Sequence, residues 1–145
     1  MASERESDSD AHSVLIIANR TAATPGLQAE VRRRASEGPC RFTLLVPKPY
    51  WDGDTEESGI TLELAIPVLE EAAGGRVEGL VGDTDPFVAV REALEGESFD
   101  EVIVSTLPTH VSHWLRLDLP ARVKRLGLPV TVVTAKQRAL AAAED

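Results

Sequence analysis

The chain has 145 residues, a net charge of −9 and 43% hydrophobic residues, which fits one globular domain with a single sizeable core. An acidic surface offers no general attraction to nucleic acid or anionic membrane, and no apolar run is long enough to span a bilayer. Cys40 is the only cysteine, so neither a disulfide framework nor a cysteine metal cluster can form.

Residues 1–12 are polar, with four carboxylates against Arg5, and leave −6 for the rest of the chain. They are expected to form a disordered acidic tail. They also lack the apolar core of a secretory signal, so a cytoplasmic location is the expectation. The first strand is predicted over Ser13–Ala18, an unbroken apolar run of the kind covered on both faces. The loop Asn19–Gly26 follows, with Thr24 as N-cap and Pro25 opening a helix. That helix turns Leu27, Val31 and Ala35 inward and Arg32, Arg33 and Arg34 outward, and the run to Pro39 stops it.

A second strand runs over Arg41–Val46. The segment Lys48–Gly59, with Tyr50 and Trp51, reads as a long loop of the length seen in lids and binding loops. Ile60–Ala73 reads as a helix containing Pro67, with Leu62, Leu64, Ala65, Val68, Leu69 and Ala72 as its buried face. The third strand is Val77–Gly82. After it, Asp85 caps a helix that buries Phe87, Val90, Ala93 and Leu94. Val102–Val104 is the fourth strand, and Trp114–Leu126 holds a helix that Pro120 restarts. Leu128–Thr134 is the fifth strand, and residues 136–145 form a short helix or a tail. The domain proper is thus expected over residues 13–135.

Strict alternation of five strands with helices predicts an α/β fold with a doubly wound parallel sheet. In the order 3-2-1-4-5, the crevice lies where the carboxyl ends of strands 1 and 4 meet. This brings Asn19, Arg20 and Thr21 to face Ser105, Thr106, Thr109, His110 and Ser112. The first three could hold a ribose or an anion, or cap the turn; the hydroxyls could bind an anion or satisfy loop backbone. His110 and His113 lack a third ligand at metal-binding spacing and read as surface histidines. There is no G-x-x-x-x-G-K-[ST] loop and no G-x-G-x-x-G fingerprint.

Three features occur together in order: the apolar first strand, the Gly82-Asp83 turn followed by Pro86, and the closing Gly127-x-Pro129-Val130-x-Val132-Val133 element. With them the chain resembles the universal stress protein family from Ser13 to Thr134. The resemblance implies the 3-2-1-4-5 sheet and a homodimer through strand 5, Pro129 to Thr134, whose β-branched edge invites pairing. The family it resembles splits into ATP-binding and non-binding members. The ATP-binding branch carries G-x-x-G, nine residues, then G-[ST], whose glycines let amides approach phosphates. Here those positions are Ser105, Pro108, Asp118 and Leu119, and the family's aspartate after strand 1 is Asn19. The expectation is therefore a regulatory or ligand-sensing module that does not bind ATP in the usual way, with adenosine or AMP held near Asn19 and Val46. Two alternatives stay open: an adenine-nucleotide-binding protein or weak nucleotide hydrolase on this scaffold, and a receiver-like switch. The last would use Asp83, a hydroxyl of Ser105 or Thr106, and Lys136; Arg20 would repel the Mg²⁺ it requires.

Overall fold

The computed structural model describes residues 11–19, 21–48, 55–106 and 113–134. Strand β1 covers His12–Ile17, helix α1 Pro25–Glu37, β2 Cys40–Pro47, α2 Thr55–Ala73 and β3 Val77–Gly82. Then follow α3 Pro86–Gly96, β4 Glu101–Thr106, the short α4 His113–Arg116, α5 Leu119–Lys124 and β5 Val130–Thr134. All strands are parallel, in the order β3-β2-β1-β4-β5.

β1 reads as a continuous apolar run because both of its faces are covered. Val14 and Ile16 point to a core closed by α1 and α2 through Leu27, Val31, Ala65 and Leu69. Leu15 and Ile17 point to a second core, closed by α3 and α5 through Ala89, Val90, Leu119 and Val123. All of these side chains are at most 2% exposed. Period-2 alternation along a doubly covered strand produces two cores from one sequence run.

Several expectations are corrected. β4 runs over Glu101–Thr106 instead of Val102–Val104, so Ser105 and Thr106 belong to the strand, and β5 over Val130–Thr134 instead of Leu128–Thr134. His12 already pairs with Cys40, so β1 begins one residue earlier than read. Helix α2 starts at Thr55 and takes in the end of the expected Lys48–Gly59 loop; residues 49–54, with Tyr50 and Trp51, lie outside the described residues. Leu64 is 69% exposed, because a 3.6-residue period through Leu62, Ala65, Leu69 and Ala72 leaves position 64 on the far side. Arg34 turns inward instead of outward, for a reason given below. The Pro120 restart is seen as the break between α4 and α5.

Candidate functional site

The carboxyl ends of β1 and β4 are adjacent, since Ile17 is in register with Val104. β1 passes into a tight turn in which Ala22 N–H donates to the Asn19 carbonyl at 3.2 Å, and Thr24 N–H to that of Thr21 at 3.2 Å. The turn rolls Thr21 back over the sheet until its Oγ1 lies 2.7 Å from Ser105 Oγ. Ser105 Oγ also lies 3.4 Å from the Thr21 carbonyl, and Thr24 Oγ1 donates to that oxygen at 3.1 Å. Thr21, Ser105 and Thr106 are each at most 3% exposed. Two of the expected site hydroxyls thus meet across the switch point. Among the described residues no carboxylate or imidazole bonds to either.

The other sequence-derived residues line up along the same edge of the sheet. Asn19 is half-buried in the turn after β1. Val46, at the end of β2, is fully buried in the core beneath α1 and α2. Gly82 ends β3, where a Cβ would lie 2.7 Å from Ala89 Cβ and 2.8 Å from Leu45 Cδ1. Glycine is therefore needed there for α3 to approach the sheet. Asp83 is exposed and accepts from Asp85 N–H at 2.9 Å, while Asp85 caps α3 by accepting from Phe87 and Val88 N–H. Arg20, Thr109, His110 and Ser112 lie outside the described residues.

The strand order removes the geometry a receiver-like switch needs. Asp83 follows the outermost strand, and β2 and β1 stand between it and β4. At about 4.8 Å per strand that is a separation of about 14 Å from Ser105 and Thr106. Among the described residues no group of three or more His, Cys, Asp or Glu side chains could hold a metal ion, and no helix is long and apolar enough to cross a membrane.

A charged cluster that the sequence reading missed occupies the opposite end of the sheet. Glu101, 4% exposed, accepts from Arg34 Nη1 at 2.5 and 2.6 Å and lies 2.5 Å from His12 Nε2. Arg34 also donates to Glu30 at 2.7 Å and to Thr131 Oγ1 at 2.9 Å. It thereby ties α1 to both β4 and β5. This is the reason Arg34 turns inward: a buried carboxylate needs a cationic partner, and Nη1 of Arg34 reaches both of its oxygens. Burial raises the Glu30 carboxyl, but hydrogen bonds from Arg34 and Arg33 outweigh it and hold the group below its ordinary value. Burial likewise works against the Arg34 charge, and Glu30 and Glu101 more than restore it. Burial and then Glu101 push the Cys40 thiol up, away from reactivity. The Glu30/Arg33/Arg34 spacing of three and four residues was the available signal; nothing local marked Glu101 as their partner.

Neither a scan against protein-family profiles nor a sequence search of curated proteins finds a match. Comparison of structures does. A universal stress protein from Archaeoglobus fulgidus superposes with a TM-score of 0.61 at 14% identity, over 84% of this chain and 93% of that one. The fold is that of the universal stress proteins. A universal stress protein in complex with cAMP superposes at 0.57, with 14% identity over 86% and 98% of the two chains. The Archaeoglobus fulgidus protein in complex with dAMP does so at 0.55, with 16% identity over 87% and 98%.

On this universal stress protein fold, the positions that correspond to the ATP-binding glycines acquire geometry. Asp118, aligned with the third glycine, is the one described non-glycine residue with positive φ, at +59°. The backbone there keeps a conformation that favours glycine, while the side chain is an exposed carboxylate. Leu119, in place of the hydroxyl, is 1% exposed and packs in the core with α3. Pro108 lies outside the described residues.

Proposed function

We propose that this chain is a regulatory, ligand-sensing module. It takes adenosine or a nucleoside monophosphate such as AMP at the carboxyl ends of β1 and β4, and does not take ATP by the glycine route. The observation that carries the reading is the pairing of a privileged crevice with a changed phosphate cradle. The switch point is assembled, with Thr21 and Ser105 in contact at 2.7 Å, yet Asp118 holds a glycine-like backbone position with a negative side chain. A carboxylate there repels a triphosphate more strongly than a ligand with one phosphate or none. The relatives in fold that carry cAMP and dAMP support a ligand of that size. Asn19 and Arg20 would hold the ribose or the single phosphate, and the Val46 end of β2 would flank the base.

We infer that such a sensor works as a pair of copies; among the described residues both outer strands, β3 and β5, leave an edge without a neighbouring strand. The resemblance in sequence points to β5.

Thermal-shift measurements at fixed protein concentration test the ligand assignment, using adenosine, AMP, cAMP and ATP with and without Mg²⁺. A ligand at about a hundred times its dissociation constant adds about 2.7 kcal/mol. Stabilisation by AMP or adenosine that Arg20→Ala removes is the expected result. Stabilisation by ATP alone, or unchanged AMP stabilisation in Arg20→Ala, would refute the assignment.

A further inference from the structure

A Cβ on Gly82 would meet Ala89 of α3, so Gly82, Leu80, Glu78 and, one step before the strand, Arg76 share the sheet face on which α3 packs. α3 starts at the Gly82 end of β3 and finishes over β2, where Glu97, just past its last turn, bonds to Arg41 at 3.3 Å. The foot of β3 is left bare on this face, with Glu78 and Leu80 exposed. A groove of about 430 Å³ opens there, lined by Arg41, Thr43, Arg76 and Glu78, with Cys40 and Phe42. Thr43 stands opposite Glu78 in the ladder and is 6% exposed. Its hydroxyl has no hydrogen-bond partner among the described residues, although hydroxyls this deep are nearly always paired. Arg76 and Glu78 are exposed and likewise make no ion pair among the described residues. Arg41 holds Glu97 in a half-exposed contact, of a kind that contributes little. The groove thus presents a cation and an anion, about 7 Å apart at their Cα atoms, beside an unpaired hydroxyl.

We propose that this groove is a second ligand site and takes a free aliphatic α-amino acid. The ligand's carboxylate lies against the Arg76 guanidinium and accepts from Thr43 Oγ1, and its ammonium donates to the Glu78 carboxylate. The charges around the groove decide the class. Arg41 and Arg76 balance Glu78 and Glu97, so a dianion such as a phosphate ester finds no net attraction. A zwitterion meets an opposite partner for each of its charges. Leu80, the next residue on this face, is 42% exposed and offers apolar surface to an aliphatic side chain. The groove lies where β2 and β3 begin, at the other end of the sheet from the crevice, and shares no residue with it.

Titration of the full chain with L-leucine to about 10 mM, followed by amide chemical shifts in NMR spectra, tests the proposal over a range that reaches millimolar affinities. Saturable shifts are expected at the amides of Thr43 and Glu78 and their neighbours. Isocaproate, which lacks the ammonium, and isoamylamine, which lacks the carboxylate, should each bind at least about tenfold more weakly. Arg76→Met and Glu78→Gln should each weaken leucine by about tenfold, and both positions are exposed, so circular dichroism should be unchanged. Glu78→Gln should not weaken isocaproate, which has no ammonium for that carboxylate to hold. Thr43→Val keeps the shape of the side chain, removes the hydroxyl, and should weaken leucine by about fivefold. Excess AMP should not displace leucine, and the leucine result stands whether or not AMP binds. An absence of saturable shifts up to about 10 mM overturns the proposal. So do shifts confined to the crevice, equal affinity for isocaproate, or leucine binding that persists in both Arg76→Met and Glu78→Gln.

Discussion

Glu101 is a charge taken out of water at the foot of β4, and its stability rests on Arg34 and His12 standing within 2.6 Å. Truncating one partner of such a cluster leaves the other charge buried and uncompensated. Arg34→Ala is therefore expected to lower unfolding free energy by about 3 kcal/mol in urea titrations. The double replacement Arg34→Met with Glu101→Leu removes both charges together and should cost less than the single truncation. A larger loss in the double would show that attraction within the cluster exceeds the cost of desolvating it. Asp118 poses a different single-residue question. Asp118→Gly relieves the left-handed backbone at +59° but gives the unfolded chain more freedom. The two effects nearly cancel, leaving about 0.5 kcal/mol or less. Its reading is in ligand preference: loss of one like charge near a triphosphate should raise ATP affinity by about fivefold, measured by calorimetry.

At the scale of elements, the unit β3–turn–α3 is the most completely specified part of the chain. Asp85 accepts from two N–H groups at the start of α3, and Asp85→Ala should cost about 1 kcal/mol. Gly82→Ala places a methyl within 2.8 Å of Ala89 and Leu45 and should cost about 1–3 kcal/mol by forcing α3 off the sheet. Chemical denaturation of the two variants checks both values. The bounds of β3 and the Asp85 cap were legible because turn residues and caps act locally. α2 was less legible: apolar residues surround much of it, and only strict periodicity separates Leu69, fully buried, from Leu64, 69% exposed. The meeting of the β1 and β4 ends was legible, since strand order alone brings them together. The mutual bond of Thr21 and Ser105 was not, because it joins residues 84 apart in sequence. Arg34 and Glu101, 67 apart, were hidden for the same reason.

Across the whole molecule, the buried charge cluster and the proposed adenine-ligand site sit at opposite ends of the sheet. The Arg34–Glu101–Glu30 cluster lies where the strands begin, and the crevice lies where they end, about 20 Å away along six-residue strands. Glu30 titrates below its ordinary value of 4.5. Its contribution to stability is therefore fully present above that value and is lost as pH falls through the lower, folded value. Thermal unfolding should accordingly show a melting temperature that Glu30 does not perturb from about pH 6 upward, with a decline in acid that is shallower in Glu30→Gln. The sheet between the two ends is a packed, doubly covered layer, with β1 and β4 buried along their length apart from His12, and among the described residues no side chain of the cluster bonds to Thr21 or Ser105. Glu101→Gln should therefore lower the melting temperature by several degrees, about 3–5 °C per kcal/mol for a chain of this size. The increment added by saturating AMP should stay unchanged in the same scans. An increment that shrinks in step with the melting temperature would mean the ends are coupled, with Arg34 transmitting through Glu101 and β4 to Ser105, and the foot of the sheet would belong to the sensor.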